Sequence, residues 1–503
     1  MKKWKTRMLL PLLALMLIAA GCQSVFGFDV TKALLGDLEV KSSESSLTMS
    51  LKAVPAPGIS EEDQQIVDLI NSLSLTIGHL KQQENGNLSA SGQVGYKGAN
   101  IPFSLFMDDK AIVFTAEGAK QPFVYPIADY SQAAGVEGLT PEQGKEISKL
   151  LTTFIVKNLP NPSSLSVANV SESVYGENLS LTKVHAEVTG EQLPGLAKSF
   201  LKSVSKDTEG FTALLSGLYD YLYPLLERTG NGSVDLDEFG LGKVPMNDKE
   251  GVVTVAHDAA KLAIDTLLLQ YDSTLASLYE EAPELKTVLS ANTKLGVDLF
   301  VDSGFHIRKQ NIALNIALPT SESLPLQSVS LQATTQVWNV NGPVTADAID
   351  AHGAIDLSQT SLTPGQMLRS FEPNSAVYGI LKNDFGITAR SVVIAPDDDI
   401  YYPIVIQGTT YVPLRYIAED LDAALAWNAV DRSISVTDDV YGDKVVFKIG
   451  SDQALVNGMA LKLPRPVFVD EYGSAYVPLR FIAQALHAEV STDEDGYLYI
   501  DRP

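Results

Sequence analysis

Leu47, Met49, Leu51 and Ala53 alternate with Thr48, Ser50 and Lys52, a period of two that puts four apolar side chains on one face of a predicted strand. Ser60 to Asp63 follows with the serine-x-x-acid form of a helix cap, and Ile66, Leu69 and Ile70 supply the apolar side of that helix. Antiparallel strands are predicted over 73–124, because Glu84-Asn85-Gly86-Asn87, Lys97-Gly98 and Asp108-Asp109-Lys110 place hairpin turns between apolar runs. Thr140-Pro141-Glu142-Gln143 then starts a helix: threonine caps, proline fits the first turn, and glutamine reaches back. Strand character returns over 165–188. Phe211, Leu214, Leu215, Leu218, Leu222, Leu225 and Leu226 keep helical spacing, with Pro224 as a kink point. A second helical stretch is expected over about 253–289, broken near Pro283, and strands resume at Val297, Leu299 and Val301, at Ile312, Leu314, Ile316 and Leu318, and over 329–340. Strands, helices and strands in that order predict an α+β domain over 38–350, in which helices cover one face of a large, curved, antiparallel sheet. A bridge over 351–390 carries one more helix start at Thr363-Pro364-Gly365-Gln366, with a boundary near 387–391.

The last part of the chain repeats itself. Residues 411–418 read YVPLRYIA and residues 476–483 read YVPLRFIA. Each copy predicts a strand, a proline (Pro413 or Pro478) whose fixed φ suits the first turn of a helix, and an apolar helical stripe. The stripes are Leu414, Ile417, Ala418 and Leu421, and Leu479, Ile482, Ala483 and Leu486. A returning hairpin closes each copy, so residues 391–503 form a small duplicated α+β domain with repeats at about 400–437 and 465–501.

These residues resemble the copper amine oxidase N-terminal-like, or stalk, domain of bacterial cell-surface proteins. The VPLR phrases at 412–415 and 477–480 carry the resemblance, supported by Ala423, Ala488, Trp427 and Val456-Asn457-Gly458. It implies a structural role for Pro413, Arg415, Trp427, Pro478 and Arg480. Thr492 stands in the place of Trp427 in the second copy, and Asp422 and His487 stand where the family often has glycine. Arg415 and Arg480 are expected to pair with an acid or cap carbonyls, fixing helix to sheet, with an anion clamp as the alternative. Tyr411, Tyr416, Tyr476 and Trp427 are read as core packing, with a glycan-binding patch as the alternative.

The first residues change the picture of where the protein works. Lys2, Lys3, Lys5 and Arg7 precede an apolar stretch over 8–20, shorter than the roughly 20 residues that cross a bilayer, so residues 1–21 read as a signal peptide. Ala19-Ala20-Gly21-Cys22 resembles a bacterial lipoprotein lipobox, which implies lipidation of Cys22, as with palmitate, and an anchor on the outer face of the cell membrane. Residues 22–37 are expected as a tether. Cys22 is the only cysteine, so no intrachain disulfide forms. With the lipoprotein start, the element order over 38–350 resembles the periplasmic lipoprotein-carrier class, which implies a half-open sheet around an apolar cavity. The net charge of −24, with 37 basic against 61 acidic residues, disfavours nucleic acid and adsorption to anionic lipid, each of which needs a basic face.

Candidate chemistry is sparse. Copper amine oxidases use three histidines and a tyrosine processed to a quinone within an Asn-Tyr motif; this chain has no Asn-Tyr, and His79, His185, His257, His306, His352 and His487 are scattered. The resemblance is to a domain that is not the catalytic one, so oxidase activity is not expected. No HExxH, G-x-S-x-G, Walker or CxxC motif is present. Glu227, Thr229, Asn231, Ser233, Asp235 and Glu238 fall at the ligand positions of an EF-hand loop with Gly232 at the sharp turn, a candidate Ca2+ site; an ordinary acidic loop is the alternative. No cofactor is otherwise required. The expected protein is a non-enzymatic, lipid-anchored, extracytoplasmic envelope protein that uses the stalk module for spacing or surface interaction. Its partners are the membrane, through the anchor, and cell-wall polymers or surface proteins; oligomeric state stays open. The alternatives are a carrier of lipid or another apolar ligand in the N-terminal domain, and a hydrolase built from dispersed carboxylates.

Overall fold

The computed structural model describes residues 28–127, 140–228, 233–235, 243–319, 324–358, 362–398 and 401–502. The expected signal peptide and Cys22 lie outside the described residues. Helix at 32% and strand at 38% make the class α+β, with one twelve-stranded sheet and several small sheets towards the C-terminus. The chain divides into two compact units, one of residues up to Ile112 with Pro126–Ile349, the other of Val113–Tyr125 with Asp350–Pro503. The expected bridge over 351–390 thus belongs to the second unit.

Nine strands of the large sheet lie within the first unit: β1 Ser43–Pro55, β2 Ser74–Gln82, β3 Leu88–Tyr96, β4 Ala99–Met107, β5 Ser164–Val174, β6 Glu177–Thr189, β7 Lys294–Val301, β8 Ile307–Ala317 and β9 Leu326–Trp338. Their order is β4-β3-β2-β1-β9-β8-β7-β6-β5, and every pairing is antiparallel. The hairpin turns expected at 84–87 and 97–98 join β2 to β3 and β3 to β4. The sheet is curved, as expected. Tyr175, in the β5–β6 turn at φ 46°, stacks on Trp338 of β9 with ring centroids 3.6 Å apart, although β7 and β8 separate the two hairpins in the sheet.

Helices cover part of one face. They are α1 Val30–Gly36, α2 Glu61–Ser72, α3 Pro141–Asn158, α4 Leu193–Lys206, α5 Thr208–Arg228 and α6 Lys249–Glu281. A short helix at Leu285–Val288 follows the break near Pro283. Val184, Val188, Leu295, Val297, Leu299, Val301 and Leu314 of the sheet pack with Val30 and Ala33 of α1, Leu193 of α4 and Leu289. Residues 22–37, expected as a tether, therefore include a helix that is part of the core: Asp29 caps it by accepting from Lys32 N at 2.9 Å, and Val30 and Ala33 are fully buried. A fully buried valine stabilises by about 1.5–3 kcal/mol, which a solvated tether would forgo.

Asp207 joins three of these helices. Its carboxylate accepts from Gly210 N at 3.1 Å at the start of α5, and from Lys157 Nζ at 2.9 Å and Asn158 Nδ2 at 3.0 Å at the end of α3. Burial pushes its pKa up, but the bonds from Lys157, Asn158 and Gly210 outweigh that and hold it below the usual carboxylate value. Stability from this group is present above the unfolded carboxylate range and is lost as pH falls through the lower native value. Asp207→Asn is expected to lower stability at pH 7 by about 1–2 kcal/mol, with the difference from the parent shrinking below about pH 4 in urea unfolding.

In the second unit the two repeated phrases hydrogen-bond to each other. Strand Thr409–Pro413 runs antiparallel to Ala475–Pro478, with Val412 opposite Val477, Tyr411 opposite Pro478 and Pro413 opposite Tyr476, a local two-fold relation. Each proline is the last strand residue, at φ −62° with ψ 121° and φ −61° with ψ 118°, and the helices Leu414–Asp420 and Leu479–Ala485 begin after it. The expected helix-opening proline is corrected to a cap with extended ψ. Val412, Leu414, Ile417, Leu421, Val477, Leu479, Ile482 and Leu486 are all buried in one core.

Asp422 and His487 end the two helices at φ 52° and 61°, left-handed positions where glycine carries no penalty and other residues need a compensating contact. Asp422 has it: Arg390 Nη2 lies 2.7 Å and Arg502 Nη2 2.5 Å from its carboxylate. The Arg502 side chain is fully buried and also donates to the carbonyl of Thr388 at 3.0 Å. Arg502→Met is expected to destabilise by about 3–5 kcal/mol in denaturant unfolding, because it strands buried carboxylates without their counter-charge.

Candidate functional site

Two surfaces have the geometry of a binding site. The first is the apolar face of the nine-stranded sheet. Opposed pairs trace one row across it: Ile101, Val94, Leu75, Met49, Ala333, Ile312, Val297, Ala186 and Leu165. All nine side chains are apolar and one sits on each strand. Their burial is graded. Val297 and Ala186 are 7% and 4% exposed beneath the helices, whereas Met49, Leu75 and Ile101 are only partly buried and Val94 is 37% exposed. Leu47, Leu51, Ile77, Phe103 and Leu105 beside the row are partly buried too, and α2 packs on the Ala53 end through Val67 and Ile70. Sequence reading found the β1 part of this face through its alternation; the continuation through β2, β3 and β4 depended on register, which bulges at Ser45/Leu47 and Ile77/His79 shift.

The second is a cleft of about 660 Å³ between the helix and hairpin of the first repeat and the 473–475 segment of the second, lined by Arg415, Tyr416, Leu425, Trp427, Arg432, Ile434, Ile449 and that segment. The stalk-motif residues divide sharply here. Pro413 and Pro478 are buried in the paired strands. Arg415 and Arg480 are exposed: Arg415 reaches only Glu419 of its own helix, at 3.3 Å, and no ion pair holds Arg480 among the described residues. The expected arginine ties from helix to sheet are therefore corrected; helix docking rests on the apolar stripes. Trp427 is 55% and Tyr416 42% exposed, while Tyr411 and Tyr476 are buried on either side of Phe468, with centroids 5.1 and 5.3 Å from it. Burial pushes both of these buried phenols up. Arg432, in the hairpin turn, carried no motif and went unnoticed in the sequence.

The described residues hold only part of the candidate Ca2+ loop. Glu227 is exposed at the end of α5 and accepts from Tyr223 OH at 3.3 Å. Ser233 and Asp235 lie on a short strand paired with Lys243–Pro245. Thr229, Asn231 and Glu238 lie outside the described residues, and no cluster of three or more metal-ligating residues occurs among those described.

A family model for the copper amine oxidase N-terminal domain matches residues 400–500. No curated protein matches the chain. A stalk-like domain of copper amine oxidase N-terminal type is thus present at the C-terminus, over the segment where the two phrases pair.

Because the helices dock through leucine and isoleucine, Arg415→Ala and Arg480→Ala are each expected to change stability by less than about 0.5–1 kcal/mol. Leu414→Ala, at 1% exposure, is expected to cost about 2–5 kcal/mol in the same unfolding assay.

Proposed function

We propose that this is a non-enzymatic, lipid-anchored envelope protein whose N-terminal sheet carries an acyl chain or similar apolar ligand, and whose C-terminal module holds that domain at a distance within the envelope. The observation that carries the reading is the graded row from Val297 to Val94: one apolar face, sealed by helices over β6 and β7 and only partly covered over β1 to β4. Apolar area left in water is unfavourable by about 25 cal/mol per Å², so a ligand that covers the open part stabilises the folded state. Strands spaced about 4.8 Å apart make the open part, from Met49 to Ile101, roughly 15 Å long, enough to lie along a large part of an acyl chain. The well-filled core of the C-terminal module supports spacing as that module's role.

Protein extracted from bacterial membranes without delipidation is expected to retain lipid beyond its own anchor, seen as added mass in native mass spectrometry. Val94→Glu, at an exposed point of the row, is expected to lower affinity for a fluorescent fatty acid at least tenfold while leaving the melting temperature within a few degrees. Absence of retained lipid together with no fatty-acid binding by the parent overturns the reading.

A further inference from the structure

The cleft in the first repeat carries side chains that folding of the repeat does not require. Both copies fold alike, with Leu425 opposite Val436 and Trp427 opposite Ile434 in the first, and Val490 opposite Ile500 and Thr492 opposite Leu498 in the second. The second copy reaches the same fold with a threonine in place of the tryptophan and a hairpin turn one residue shorter. Phe481 is partly buried and packs on Phe447 at 6.0 Å, whereas its counterpart Tyr416 is exposed. Beside the first copy's hairpin, Leu425, Ile434 and, from the segment between the copies, Ile449 form an apolar floor, Trp427 and Tyr416 expose large ring surfaces, and Arg415 and Arg432 stand exposed at the rim.

We propose that this cleft binds a carboxylate-bearing saccharide, such as a hexuronic acid unit of an anionic glycan. An exposed indole offers a flat apolar face to the C–H face of a sugar ring, and a guanidinium meets a carboxylate with two parallel hydrogen bonds. The chain is strongly acidic, at net −24, and Arg415 and Arg432 place two guanidinium groups beside the two aromatic rings. Glu419 does not block the site, because an exposed pair between neighbouring turns of a helix is worth only about 0.3–0.5 kcal/mol and yields to a second carboxylate. The volume of about 660 Å³ falls within the range of small-ligand sites. This site belongs to the second unit and does not depend on the carrier reading.

The test uses the full chain and trigalacturonic acid, with maltotriose as the neutral sugar and hexaglutamate as the acidic peptide, read by calorimetry and tryptophan fluorescence. Trigalacturonic acid is expected to bind and to change the emission, with affinity at least tenfold above either control and falling as salt rises. Arg415→Gln with Arg432→Gln is expected to weaken binding at least tenfold, and Trp427→Phe to remove the fluorescence change. Arg480→Gln, at the matching place in the second copy, should leave binding unaltered. All four positions are exposed, so thermal melting should show folded variants. Equal binding of maltotriose, equal or tighter binding of hexaglutamate, equal loss in Arg480→Gln, or no binding of trigalacturonic acid up to about 10 mM each overturns the proposal.

Discussion

An apolar face nine strands wide has to be kept from water, and the helices of this protein cover only part of it. The row from Leu165 through Val297 and Met49 to Ile101 fixes the sheet's register, since a slip of one residue would turn the apolar side chains of a strand to the other side. The same requirement recruits α1 into the core: Val30 and Ala33 share one buried cluster with the β6 and β7 side chains, where burial is deepest. Met49, Leu75, Val94 and Ile101 stay partly open. The arrangement explains why a segment that reads as a tether is structured.

The C-terminal module solves a different problem, packing two copies of one phrase into a single core. Pairing Val412 with Val477 brings the copies together by backbone hydrogen bonds, and their helices bury equivalent leucines and isoleucines. Each helix must then reverse through a left-handed residue. Asp422 meets that demand with two arginines, while His487 lies 2.7 Å from Asp443 and has its ring 4.0 Å from that of Tyr441. Arg502, the penultimate residue, ties the last strand to the first helix exit through Asp422.

Much of this was legible in the sequence because the signals were local. Capping boxes at Thr140 and Thr363, the alternation of β1 and the repeated phrase each appear where their residues predict. Features set by distant contacts were not legible. The burial of Val30 depends on strands more than a hundred residues away, and the inclusion of 113–125 in the second unit on pairing such as Ala119 with Phe371. The loop with EF-hand spacing is described only at Glu227, Ser233 and Asp235, the last two on a short strand. The arginines of the repeat misled: recurrence in a duplicated unit suggested a structural tie, but both side chains point to solvent.

The most direct measurement is a crystal structure of the protein purified from membranes with its lipids retained. The account predicts continuous tubular density lying against Met49, Leu75, Val94 and Ile101, with these side chains withdrawn from solvent. A structure in which the same row is covered by the protein's own side chains, with no ligand density, would contradict it.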